Sequence, residues 1–110
     1  MATARAYFDD LRSLAYTGIS GSYAAIGGVF TILPRIICIT NNTDGDMIVT
    51  DNLIKDKLFL AAGSFKLFDV TANILPQQGD TYVLPIGTQI WVKQSTAPSK
   101  GAVYVEAVYG

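Results

Sequence analysis

The sequence predicts an all-β fold: a single antiparallel β-sandwich, jelly-roll-like or immunoglobulin-like, preceded by an N-terminal arm. Three observations lead there. From Val29 onward, short apolar or alternating runs are separated by turn residues at intervals of about 8–12 residues, the spacing of strands in sandwiches and barrels. No helical period of useful length interrupts them. Hydrophobic residues make up 50% of the 110-residue chain and charged residues only 15%, whereas about 25% charged is usual. A chain this short leaves much of its surface in water, so part of its apolar area is expected to be covered by another chain.

The length allows one compact domain and an appendage. Residues 1–28 read as the arm, with assembly contacts as its role, and residues 29–110 as the sandwich. Within the arm, Tyr7, Phe8, Leu11, Leu14 and Ala15 suit a short amphipathic turn. Gly18, Gly21, Gly27 and Gly28 then argue against a continued helix or a strong strand. A free arm is normally polar. This one carries Tyr7, Phe8, Leu11, Tyr16 and Tyr23, so it is expected to be ordered against a partner.

About eight strands follow: Val29–Leu33, Arg35–Thr40, Asp46–Asp51, Lys57–Ala61, Ser64–Asp69, Tyr82–Leu84, Thr88–Gln94 and Ala102–Tyr109. The intervening residues, rich in glycine, proline, asparagine and aspartate, supply the turns. Arg35–Thr40 and Asp46–Asp51 are expected to form a hairpin through Asn41–Gly45, because Asp-Gly provides the positive φ angles of tight hairpin turns. In Thr88–Gln94, Ile90 and Val92 alternate with Trp91 and Lys93. In the last strand Val103, Val105 and Ala107 alternate with Tyr104, Glu106 and Val108, so one face enters a core. Ile36-Ile37-Cys38-Ile39 is apolar on both faces, as in a strand covered on both sides, the second cover being the N-terminal segment or a neighbouring subunit. Cys38 reads there as a small buried hydrophobe. Being the single cysteine, it forms no internal disulfide.

Several functional classes are disfavoured. A formal charge of −1 with scattered lysines and arginines lacks the basic stripe of a nucleic-acid interface. The most apolar window, Tyr23 to Ile39, is broken by Gly27, Gly28, Pro34 and Arg35, short of the roughly 20 residues of a membrane span. Met1 to Asp10 holds no apolar signal-peptide core, which predicts an unexported chain. No histidine is present for a triad, and no strand-to-helix elbow exposes a serine. The expectation is no catalytic residue, no cofactor and no metal. Asp44, Asp46, Asp51, Asp56, Asp69 and Asp80 lie at strand ends, where aspartate serves as a turn former; a hydrolase built on them is a third, weaker reading. Asn42, Asp44 and Asp46 faintly resemble a calcium loop, but the glycine is out of position and the distal glutamate is missing. Asn41-Asn42-Thr43 is a glycosylation tripeptide that an unexported chain would not present to the machinery.

The aromatic residues suit core packing, a sugar-stacking platform or a protein interface. Candidate interface residues are Tyr7, Phe8, Leu11, Tyr16, Tyr23, Trp91 and Tyr104. A carbohydrate-binding module using Trp91 and Tyr104 is the competing class.

The order and spacing of several segments resemble the small β-sandwich virion proteins of tailed bacteriophages. These segments are Gly21 to Gly27, Pro34 to Ile37 running into Asn41 to Asp44, Ile48 to Asp51, Asp56-Lys57, Ala61 to Ser64, Phe68 to Val70, Ile86 to Lys93 and Ser99 to Val105. The resemblance implies a non-enzymatic structural component of a virus particle, assembled in the host cytoplasm. Its implied partners are the major capsid protein, or connector and tail proteins, together with further copies of itself. A head decoration or cement protein would bridge capsid subunits with the arm across a neighbour, whereas a head-to-tail joining or collar protein would form a ring.

Overall fold

The computed structural model describes residues 7–69 and 86–109. Two antiparallel sheets face each other. Sheet A holds β1 (Tyr7–Phe8), β2 (Arg12–Ala15), β4 (Ile36–Thr43), β7 (Phe65–Asp69) and β9 (Gly101–Tyr109). Sheet B holds β3 (Ala24–Ala25), β5 (Met47–Thr50), β6 (Leu58–Leu60) and β8 (Trp91–Gln94). A single 3₁₀ turn, Tyr16–Gly18, follows β2. Strand β9 is the spine of sheet A: it pairs with β4 along its whole length, from Ile36↔Val108 to Thr43↔Gly101, and on its other side with β1 and β2. The sheet orders are β1-β9-β4-β7, with β2 also on β9, and β3-β8-β5-β6. This is the expected all-β sandwich.

Its core forms because the alternation in each strand is real. Ile37 and Ile39 from β4, Met47 and Val49 from β5, Val92 from β8 and Val103, Val105 and Ala107 from β9 point inward and are buried. Trp91 and Lys93, and Tyr104 and Glu106, point outward from the neighbouring positions, as the period of two requires.

Three expectations about local structure need correction. Residues 7–28 do not form a projecting arm: β1 and β2 extend sheet A, β3 extends sheet B, and Ile19 and Ile26 are in the core. Tyr7, Phe8, Leu14 and Ala15 accordingly belong to strands, and Leu11 to the link between them, not to an amphipathic turn. Val29–Leu33 is not a regular strand. Phe30 makes two backbone bonds, donating to Thr88 at 2.9 Å and accepting from Gly87 at 2.7 Å, and its ring plugs the core. The rest of this segment carries the chain from sheet B to sheet A, so it has no ladder to continue. The expected strand Tyr82–Leu84 lies outside the described residues.

The third correction concerns the hairpin. β4 and β5 are consecutive but belong to different sheets, so residues 44–46 form an arch between layers. Asn41 to Thr43, read as turn residues, complete β4. Gly45 lacks the positive φ of a primed hairpin turn, which among the described glycines is found at Gly27, Gly63, Gly87 and Gly101. Gly45 is required for another reason. A Cβ there would collide with the backbone of Thr96 to Pro98, which passes against it in the arch leading to β9.

Three such arches meet at one end of the sandwich. The buried Asn41 amide nitrogen lies 2.8 Å from the Gly45 carbonyl, 3.0 Å from that of Leu60 and 3.2 Å from that of Ala61, while its oxygen accepts from the Thr43 amide at 3.1 Å. Asp46 accepts from the Ala62 amide at 2.9 Å, and its own carbonyl accepts from Ser95 at 2.8 Å. Asp44 accepts from the Ser99 amide at 2.7 Å and from the Ser99 hydroxyl. These bonds hold Asp44's carboxyl below the usual carboxylate range, the Ser99 hydroxyl contributing most. Polar side chains that looked like turn formers thus tie three crossovers together, and the Asn41 of the glycosylation tripeptide is fully buried.

Candidate interaction face

The outer face of sheet A is assembled from the residues that alternate with the core. The registers put Phe8, Val108, Ile36 and Asp69 in one row, Glu106, Cys38 and Leu67 in the next, and Ser13, Tyr104, Thr40 and Phe65 in a third. Most of these are apolar, and several are widely exposed: Phe8 is 90% exposed, Phe65 63% and Leu67 62%. A concave groove of ≈ 340 Å³ runs through the first two rows, bounded by Phe8 and Leu11 on one side and Ile36, Cys38 and Leu67 on the other, with Glu106 in its wall. Here the doubly apolar run Ile36–Ile39 finds its explanation. Ile37 and Ile39 fill the core, whereas Ile36 and Cys38 floor the groove, flanked by Phe8 and Leu11. Cys38 is therefore half-buried on the outer face and not a core residue as expected; its Sγ lies 3.7 Å from the Thr40 hydroxyl.

The N-terminal rim of the groove is held by Arg12. Its guanidinium ion-pairs with Asp9 at 2.9 Å, donates to the carbonyls of Gly28 at 2.9 Å and Val29 at 3.2 Å, and stacks over the Phe30 ring at 4.3 Å from the centroid. One planar cation thus joins the β1–β2 link to the crossing segment that plugs the core.

The candidate interface residues divide between the two sheets. Phe8 and Leu11 line the groove and Tyr104 stands half-buried on the same face. Tyr7 packs its ring on Tyr109, centroids 5.4 Å apart, at the edge of sheet A. Tyr16 is exposed on the 3₁₀ turn. Tyr23 and Trp91 are half-buried at sheet B, too far round the sandwich to share one patch with Phe8. Leu67 and Phe65 were not singled out in the sequence, and Ile36 only within the doubly apolar run Ile36–Ile39, because exposure cannot be told from core packing in an apolar run. Their alternation with Ile37 and Phe68 was the available signal.

On the outer side of sheet B, Lys93 lies 4.8 Å from the centre of the Tyr23 ring and 3.1 Å from Asp56, and the Tyr23 hydroxyl donates to the same carboxylate oxygen at 2.5 Å. Burial first, then the bond to Asp56, push Tyr23 up to about 12 from 10.0. The bonds from Tyr23 and Lys93 lower Asp56. With its ring under an ammonium and its hydroxyl engaged, Tyr23 does not offer a free stacking platform. Among the described residues no group of three or more histidine, cysteine, aspartate or glutamate side chains gathers to hold a metal ion, and no helix is long and apolar enough to cross a membrane.

What this surface can do is bind by desolvation: extended apolar area on a pre-formed sheet, with the carboxylates of Asp9 and Glu106 in the groove lining and Asp69 in the first row. Compared with known protein families, curated proteins and solved structures, the chain matches none.

Proposed function

We propose that this chain is a non-enzymatic structural protein of a tailed-bacteriophage virion, a capsid decoration or cement protein that docks on neighbouring subunits through the outer face of sheet A. The observation that carries the docking role is the exposed apolar row set Phe8, Ile36, Leu67 and Phe65 on a regular sheet. Scattered single apolar residues are ordinary on a protein surface; a contiguous set of this kind marks an interaction site. The virion assignment rests on the resemblance of segment order described above. A connector or collar protein is the alternative within the same class.

Purified particles decide the matter. Folded Leu67→Glu protein is expected to be lost from particles that incorporate the unaltered chain, and a copy number on the order of hundreds fits decoration, whereas about a dozen fits the neck. Finding the chain in no particle fraction would overturn the proposal.

A further inference from the structure

The loop between β5 and β6 presents a second apolar feature. Leu53 is 56% and Ile54 83% exposed, yet the loop beneath them is firmly built. Asn52 Oδ1 accepts from the amides of Ile54 at 2.9 Å and Lys55 at 3.2 Å, the Thr50 hydroxyl donates to the Lys55 carbonyl at 2.7 Å, and Lys57 reaches Asp51 at 3.2 Å across the base. Two branched aliphatic side chains are thus held out in water by a turn that has little freedom left to lose on binding. Lys55 follows them, and among the described residues its ammonium has no ion-pair partner.

The groove on sheet A is the counterpart in shape and in charge. Its ≈ 340 Å³ exceeds the space of eight water molecules at about 30 Å³ each, and Leu53 and Ile54 together bring eight side-chain carbons. Its wall carries Glu106, which likewise has no ion-pair partner among the described residues. An apolar protrusion with a free cation beside it matches an apolar groove with a free carboxylate in it, and both belong to the same chain.

We propose that the groove is filled by the Leu53–Ile54 loop of a second copy of this chain, with Lys55 of that copy reaching Glu106. This rests on reading the outer face of sheet A as a docking surface, and names its partner. The protrusion belongs to sheet B and the groove to sheet A, so each copy offers one of each: copies joined head to tail form a ring or an open chain, and a two-fold pair makes the same contact twice, reciprocally.

The arrangement makes a mixing experiment decisive. Mass is measured by light scattering on the full-length chain, on Ile54→Asp and on Leu67→Asp, each first checked for a cooperative unfolding transition. The unaltered chain is expected above the 11.8 kDa monomer, and each variant alone at the monomer mass. The equimolar mixture is expected at twice that mass, because one intact protrusion and one intact groove remain to meet. If Leu67→Asp does not fold, Glu106→Lys and Lys55→Glu replace the pair; each alone sets like charges together, and mixing restores opposite ones. A monomeric unaltered chain, a variant that associates like it, or a mixture that stays monomeric overturns the inference. The virion assignment is read separately: restored association by a Leu67→Asp chain that still enters particles at full copy number keeps this contact and removes the docking role proposed for that face.

Discussion

Asn41 carries more structural consequence than any other polar side chain described. It is fully buried, and its amide satisfies carbonyls from two arches at once. Asn41→Ala takes the side-chain donor from the Leu60 carbonyl, whereas that of Gly45 keeps the Thr43 hydroxyl at 3.0 Å; an orphaned group in a dry setting costs about 1–3 kcal/mol, and a loss of that size is expected in urea unfolding. A loss below about 0.5 kcal/mol, the size of an ordinary surface change, would show that the arches hold without it. Asp44 and Tyr23 make opposite pH predictions. Asp44's folded value is lowered, so its contribution is complete above the usual 3.8 and is lost as pH falls through the lowered value. Asp44→Asn should flatten the fall in stability on the acid side of 3.8. Tyr23's folded value is raised, so its contribution is complete below 10.0 and is lost as pH rises through about 12. Tyr23→Phe should remove a tyrosinate that appears at about pH 12 in an alkaline absorbance titration.

At the scale of elements, the arches explain why the strand-end aspartates are where they are, and why glycine stands beside them. Gly45 packs against the backbone of Thr96 to Pro98, and Gly101 has φ 91° with its missing Cβ directed at the Asn42 carbonyl. Gly45→Ala forces two main-chain segments apart, and backbone cannot swing aside as a flexible side chain can. The expected cost is about 1–3 kcal/mol, with the loss appearing in the midpoint of thermal unfolding. An unchanged midpoint would mean that the arch is looser than its contacts imply. The strands themselves were legible in the sequence. Met47–Thr50, Leu58–Leu60, Phe65–Asp69, Trp91–Gln94 and Gly101–Tyr109 all fall within or one residue beyond the expected ranges, because alternation and β-branched residues are local signals. Partner choice was not legible. Asp44-Gly45 suits a hairpin and an arch equally well by composition, and the difference is made by Thr96 to Pro98, some fifty residues away.

At the scale of the molecule, β9 pairs on one side with β1 and β2, so residues 7–15 and 101–109 are stitched into one sheet. Deleting residues 1–28 removes two core isoleucines, Ile19 and Ile26, and three strands. At about 2–5 kcal/mol for each large buried side chain lost, against a total stability of about 5–15 kcal/mol, the truncated chain is expected to lose cooperative unfolding in calorimetry. A detachable arm would leave the transition of residues 29–110 intact. Among the described residues, the outer face of sheet A and the Leu53–Ile54 loop expose large apolar side chains, and part of the excess of apolar over charged residues lies there.

Composition and alternation alone determined that this chain forms antiparallel strands, which residues of Thr88–Gln94 and Ala102–Tyr109 turn inward, and that apolar surface would be left over. Those properties are local, since a strand's two faces are written in adjacent residues. The tertiary structure decided which sheet each strand joined, that residues 7–28 complete the sandwich, and that Ile36 and Cys38 face outward beside Phe8 and Leu67. Each depends on which distant segment lies alongside, and an apolar side chain carries no mark of whether its neighbour is its own chain or another.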